Sequence, residues 1–146
     1  MSGIKYFDHV GITVDDLDSA TAFFVRLGLE VEGRQFVEGE FLDTVCGIPN
    51  SRTEVVMLRP PGGGVGLELA RFLRPDHEPG SPLAMANELG LRNVAFEVAD
   101  VQDVVDELAA GGYGLVGGIS EYENTWRMAH VRGPEGIIVS LAARIG

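Results

Sequence analysis

The chain has 146 residues, of which 45% are hydrophobic and 23% are charged, a composition typical of a folded globular domain rather than a disordered or collagen-like chain. Twenty-two acidic and eleven basic side chains give a formal net charge of −11. Such a field repels phosphate backbones and anionic lipid surfaces, so we expect neither nucleic acid nor a membrane surface as a partner.

Cysteine content and hydropathy bear on the cellular compartment. Cys46 is the only cysteine, so the chain cannot form an internal disulfide, a redox pair or a cysteine-rich zinc site. No stretch is apolar enough for a membrane span, and the first residues lack the apolar core of a signal peptide. We therefore expect a cytoplasmic protein.

An internal repeat organises the sequence. The segment HVGITVDDLDSATAFFVRLGLEV begins at His9, and it aligns without a gap with NVAFEVADVQDVVDELAAGGYGL, which begins 84 residues later at Asn93. Matched positions carry similar residues: Val10 and Val94, Ile12 and Phe96, Val14 and Val98, Asp16 and Asp100, Gly28 and Gly112. The agreement indicates two copies of one structural module.

Each copy predicts a strand followed by a helix. Apolar residues alternate with others at the start of the copy, which is typical of a strand with one buried face. Asp16 or Asp100 then supplies a helix N-cap, and glycine ends the helix at Gly28 or at the pair Gly111 and Gly112. The helical stripes are Leu17, Ala20, Phe24 and Leu27 in the first copy and Val101, Val104, Val105 and Leu108 in the second.

Further strands are predicted at 30–36, 52–58, 65–72, 115–117, 126–132 and 137–142, and a short helical turn at 41–45. The segment between the copies contains Pro75, Pro79 and Pro82, which interrupt regular structure. The expectation is an α+β protein with a first βαβββ module at 1–75, a linker at 76–90 and a second βαβββ module at 91–146. The modules would form a cup-shaped mixed sheet with the helices outside.

Strand alternation selects the side chains on the sheet face away from the helices. If Val10 and Ile12 face the helix, His9 faces away from it. The same reasoning, applied to the second copy and to the last strand of each, selects Asn93, Glu68 and Ser140. His130 lies on the neighbouring strand, with the face it occupies left open.

These segments resemble the vicinal oxygen chelate superfamily, which includes glyoxalase I, methylmalonyl-CoA epimerase, extradiol dioxygenases and bleomycin-resistance proteins. The resemblance covers nearly the whole chain and is carried by FDHVGITVDDLDSATAFFVRLGLEV, GLELARF, LRNVAFEVADVQDVVDELAAGG and RGPEGIIVSL. It implies a divalent ion such as Zn, Ni, Mn, Co or Fe, held by a histidine or glutamate from the first and last strand of each module.

The chain keeps only half of the ligand pattern that this resemblance implies. His9 and Glu68 match it, whereas Asn93 stands where the second histidine usually does and Ser140 where the second glutamate does. Because an amide and a hydroxyl donate less strongly than imidazole and carboxylate, metal binding should be weakened. Asn93, Ser140 and His130 are instead candidates for binding the small-molecule ligand, with His130 also a possible substitute metal ligand.

Two functions from different classes remain open. The first is a glyoxalase-like lyase or isomerase in which a metal at His9 and Glu68 stabilises an enediolate-type anion and Glu68 transfers a proton. The alternative is a metal-free protein that binds or sequesters a small molecule, as bleomycin-resistance relatives do. Either protein is expected to be a homodimer, because the cup of relatives is often completed by a partner chain.

Overall fold

The computed structural model describes residues 3–146, and the chain divides into two compact units between Pro79 and Gly80. Within the described residues the first unit contains four strands and two α-helices, and the second contains four strands and one α-helix. Each unit forms its own four-stranded mixed sheet. The predicted α+β class with two βαβββ modules is confirmed.

The first sheet has the spatial order β1-β4-β3-β2, in which β1 and β4 are parallel and the other neighbours antiparallel. Its strands are β1 (His9–Thr13), β2 (Glu30–Glu38), β3 (Arg52–Arg59) and β4 (Gly66–Arg74), and its helices are α1 (Leu17–Leu27) and α2 (Glu40–Cys46). The central strands β4 and β3 carry the buried apolar residues Val56, Leu58, Leu67 and Leu69.

Helix α1 covers one face of this sheet. The Asp16 carboxylate accepts a hydrogen bond from the Ser19 backbone N–H, which caps the first turn, and Gly28 ends the helix with a positive φ of 125°. The predicted apolar stripe contributes Leu17, Ala20 and Phe24 to the core, and Phe23 adds an edge-on contact with the Phe24 ring. The opposite face of the sheet is free of this helix.

The second sheet repeats the pattern with the order β5-β8-β7-β6 and a parallel β5–β8 pair. Its elements are β5 (Asn93–Glu97), α3 (Val101–Ala110), β6 (Ser120–Tyr122), β7 (Trp126–Arg132) and β8 (Ile138–Arg144). The Asp100 side chain caps α3, whose buried residues Val101, Val105 and Leu108 lie on the predicted stripe.

The strand predicted at 115–117 is wrong. A single bridge joins Leu115 to Val131, and the strand that pairs with β7 on the edge opposite β8 is β6, three residues further along. Gly114 and Gly118 flank the predicted segment, and Gly117 is its last residue. Glycine has no side chain to pack and loses the most backbone entropy in a strand, so regular pairing begins only after Gly118.

Within residues 3–146, none of the helices combines the length and apolar character needed to cross a bilayer.

Gly66 is a position where the fold requires the absence of a side chain. A Cβ there would lie 2.6 Å from the backbone oxygen of Leu58 on β3, so Gly66→Ala should lower the free energy of unfolding by about 1–3 kcal/mol in urea denaturation. Gly11→Ala on β1 is the control, since a Cβ at Gly11 meets nothing within 4 Å, and its effect should stay within about 0.5 kcal/mol. Equal losses in the two variants would contradict this assignment.

Candidate functional site

The first unit brings His9 and Glu68 together. In the parallel register, His9 is the partner of Gly66, and Gly11 is the partner of Glu68, so the two side chains belong to neighbouring positions on adjacent strands. Both project from the face opposite α1, because Leu67 and Leu69 supply the helix-facing side of β4. The His9 Nε2 atom lies 3.9 Å from a Glu68 carboxylate oxygen, and each side chain retains about a third of its exposure, 34% and 35%.

A carboxylate holds the other nitrogen of His9. Nδ1 lies 2.6 Å from an Asp8 oxygen, and the second Asp8 oxygen lies 3.4 Å from the Arg59 guanidinium. Hydrogen bonding to His9, followed by attraction to Arg59, lowers the pKa of the Asp8 carboxyl below its usual value, so this group is an anion at neutral pH.

Arg59 is itself fixed by a second carboxylate. Its Nε donates to Glu32 at 2.9 Å, and this bond raises the pKa of the guanidinium further above its ordinary value. The result is a continuous polar chain from Glu32 through Arg59 and Asp8 to His9. Sequence reasoning missed Asp8 and Arg59, and the available signal was that an aspartate directly precedes the candidate imidazole.

Open space adjoins the His9 and Glu68 pair. Gly11 lies beside Glu68 in the β1–β4 register, and a Cβ added to Gly11 would meet nothing within 4 Å. The strand that carries His9 therefore leaves room next to the Glu68 carboxylate. A water molecule or a small organic molecule has space to approach both functional groups.

In the second unit, the structure pairs His130 with Ser140. They are direct antiparallel partners on β7 and β8, so their side chains share one sheet face, which settles the orientation of His130 that the sequence left open. Ser140 is only 6% exposed. Asn93 is the exposed first residue of β5 and is the register partner of Ile138, whereas Ala95 is the partner of Ser140.

A wide-mouthed cavity of about 300 Å³ opens beside His130. It lies within the second unit and is lined by Val116, Gly117, Gly118, Met128, Ala129 and His130. The lining is mainly apolar, with one imidazole as its titratable group. Such a combination suits a small, largely apolar ligand that makes one polar contact.

The donors of the first unit fit a loosely held metal ion rather than a closed structural site. Metal–nitrogen and metal–oxygen bonds of about 2.0–2.2 Å place adjacent ligand atoms roughly 3–3.5 Å apart. The 3.9 Å separation of His9 Nε2 and the Glu68 oxygen needs only a small side-chain adjustment to reach this range. No group of three histidine, cysteine, aspartate or glutamate side chains suited to a metal occurs among residues 3–146.

Comparison with known proteins places the chain in a family. The model of the Glyoxalase/Bleomycin resistance protein/Dioxygenase superfamily matches residues 8–130, and the chain belongs to this superfamily. A glyoxalase family protein from Bacillus cereus is 39% identical and superposes with a TM-score of 0.96, over 99% of this chain and 97% of that one. A search of curated proteins gave no match.

Two more distant structures share the fold. Glyoxalase I from Zea mays is 16% identical with a TM-score of 0.70, and the match covers 94% of this chain and 44% of that one. An antibiotic-binding protein from Streptomyces is 17% identical with a TM-score of 0.66, and the match covers 99% of both chains. The same fold therefore serves proteins of different functional classes, so function has to be argued from the side chains.

Proposed function

We propose that the protein is a glyoxalase-like lyase or isomerase that acts on a small organic molecule through a divalent ion held by His9 and Glu68. The observation that carries this proposal is the 3.9 Å approach of the His9 Nε2 atom to the Glu68 carboxylate, next to the space above Gly11. When bound, such an ion would stabilise negative charge that develops on a substrate oxygen.

His9 and Glu68 would have different roles at this site. His9 Nε2 offers a neutral donor, and Glu68 offers an anionic donor whose second oxygen is available to accept a proton from the substrate. With two protein donors, one fewer than the three that catalytic zinc sites ordinarily have, the other coordination positions would be left to water and to substrate oxygens. Within the second unit, Asn93, Ser140 and His130 are proposed to contact a small-molecule ligand, since the register partner of His130 is the neutral Ser140.

Metal binding by the purified protein tests this function. Wild-type protein dialysed against Zn²⁺ and then against metal-free buffer should retain more zinc than His9→Ala, as measured by elemental analysis. His130→Ala serves as the matched control, because it removes an imidazole from the second unit and leaves His9 and Glu68 intact. Zinc retention that is the same in wild-type protein and His9→Ala would overturn the proposal.

A metal-free binding protein is the second candidate, and the second unit favours it. There the cavity beside His130 has a neutral serine as the neighbour of the imidazole, and no carboxylate lines it. The Streptomyces structure is described as an antibiotic-binding protein, so this fold serves ligand binding as well as catalysis. Ligand binding that persists in the presence of a chelator would favour this candidate over the metalloenzyme.

Partner and location belong to the same proposal. Ile4, Tyr6 and Phe7 are large apolar residues with 78%, 74% and 64% of their surface exposed. Three exposed apolar residues within four positions are typical of an association surface, which supports the proposed homodimer. The single cysteine, Cys46, fits a reducing cytoplasmic location.

A further inference from the structure

The surroundings of His9 restrict which ring nitrogen carries the proton. Nδ1 lies 2.6 Å from the Asp8 carboxylate, a distance that requires an N–H between the two atoms because both otherwise carry lone pairs. Nε2 lies 3.9 Å from Glu68, which is too long for a hydrogen bond. In neutral His9 the proton therefore belongs on Nδ1, and the lone pair of Nε2 is free to bind a cation.

The second unit shows which part of this arrangement belongs to the fold. Arg59 donates to the backbone oxygens of Asp8 and Gly64, and Arg132 makes similar contacts with the backbone oxygens of Pro82 and Gly136. Gly64 and Gly136 each lie two residues before the last strand of their sheet, so both arginines hold the chain that enters this strand, whereas Pro82 lies well before β5 and has no counterpart at Asp8.

The carboxylate–imidazole pair is different. At the positions that correspond to Asp8 and His9 in the repeat, the second unit carries Arg92 and Asn93. Arg132 makes its contact with the Gly136 backbone oxygen although position 92 carries no carboxylate, so this contact does not require an acidic side chain at the position of Asp8. The contact between the Asp8 carboxylate and His9 is therefore not explained by the arginine contacts that the two units share.

We propose that Asp8 is a positioning residue, which fixes His9 as the Nδ1–H tautomer and so presents the Nε2 lone pair, beside Glu68, to a divalent cation. The part of this proposal that concerns the cation rests on the proposed function, whereas the tautomer does not. Carboxylates that receive the free N–H of a ligating imidazole orient the ring and increase its basicity. Arg59 lies 3.4 Å from the Asp8 carboxylate, and its bonds to the backbone oxygens of Asp8 and Gly64 hold it there without Glu32.

The tautomer can be measured directly. The chain has three histidines, so ¹⁵N NMR of the metal-free 146-residue protein at about pH 8, where imidazoles are ordinarily neutral, gives three ring patterns. The His9→Ala variant identifies the pattern of His9. Wild-type protein should show the proton on Nδ1. In Asp8→Asn the amide can donate to Nδ1, so the proton should move to Nε2. A wild-type Nε2–H pattern, or the same pattern in both proteins, would overturn the proposal.

Glu32→Gln is the matched control. It removes a carboxylate of the same polar chain, and Glu32 has its bond to Arg59 rather than to His9. A general loss of negative charge or of local structure would affect both variants, whereas a positioning role predicts that Glu32→Gln keeps the wild-type tautomer. Thermal unfolding of the three proteins verifies that each is folded.

Calorimetric titration with Zn²⁺ alone tests the consequence for binding. Asp8→Asn should weaken Zn²⁺ binding by about 10-fold, the lower end of the range for such partners because the pair is partly exposed, and Glu32→Gln should leave it within about 2-fold. Unchanged affinity in Asp8→Asn, despite a changed tautomer, would overturn the positioning role. Absence of zinc binding in wild-type protein with the Nδ1–H tautomer present would instead overturn the proposed function and leave the tautomer assignment supported.

Discussion

Phe24→Ala should lower the free energy of unfolding of the first unit by about 3–5 kcal/mol, measured by urea denaturation. The Phe24 ring has 0% exposure and makes an edge-on contact with Phe23, at 5.0 Å between the ring centroids. Truncation removes this contact and leaves a cavity between α1 and the central strands β3 and β4. Strand β4 carries Glu68 and pairs with β1, which carries His9. The truncation should therefore also widen the range of distances between the His9 and Glu68 side chains.

The neighbouring residue provides the control for this prediction. Val25 lies on the same helix with 46% of its surface exposed, so Val25→Ala should change stability by less than about 0.5 kcal/mol. In the second unit, Leu108 occupies the position that corresponds to Phe24 in the repeat and is also 0% exposed. Leu108→Ala should therefore cost about 2–5 kcal/mol. A loss below about 1 kcal/mol in Phe24→Ala would contradict the assignment of this ring to the core.

The fold was largely predictable because local patterns and the repeat agree. Phe24 and Leu108 fall on the predicted helical stripes, and the structure buries both. Asp16 and Asp100 cap the predicted helices. Apolar residues that recur every second position or every 3.6 positions show which face of a strand or helix is buried. This face can therefore be predicted even when the residues that pack against it are far away in the sequence. The strand predicted at 115–117 does not form because glycines at 114, 117 and 118 weaken strand pairing there, although Leu115 and Val116 are apolar.

The candidate site was predictable only in part. Alternation along β1 and β4 selects His9 and Glu68, and their proximity follows once the parallel register is known. The orientation of His130 follows from its pairing with Ser140 on the neighbouring strand. The alternation pattern of a single strand does not show which residue it pairs with. The role of Asp8 depends on the rotation of the His9 ring, which is set by side-chain contacts rather than by backbone period.

Comparison of the two copies distinguishes residues that maintain the fold from residues that could bind a metal or a substrate. The arginine contacts to backbone oxygens are retained in both units, as are the helix caps and the parallel pair of strands. The acidic and imidazole groups are retained only in the first unit, where Asp8, His9 and Glu68 correspond to Arg92, Asn93 and Ser140. Residues needed for folding have thus stayed alike while donor groups changed. This pattern favours a functional centre built on one unit's donors.

Acetohydroxamate, a ligand with two adjacent oxygens, should tighten Zn²⁺ binding by wild-type protein about 10-fold, which corresponds to about 1.4 kcal/mol. The physical reason is that His9 and Glu68 leave coordination positions open, and two adjacent oxygens can fill them without competing with a third protein donor. Equilibrium dialysis of zinc and hydroxamate together measures the effect, and binding linkage requires hydroxamate to be held correspondingly better when zinc is present.

Glu68→Gln should remove this coupling and weaken Zn²⁺ binding by about 100-fold or more, since loss of a direct ligand exceeds the 10- to 100-fold cost of losing its supporting partner. Glutamine preserves the size of the side chain, so the sheet should remain intact, and acetamide serves as the ligand control because it offers one oxygen. Hydroxamate binding that is equally strong with and without zinc, and unchanged in Glu68→Gln, would contradict the metal centre. It would then assign the ligand to a site that works without metal, for which the cavity beside His130 is the candidate.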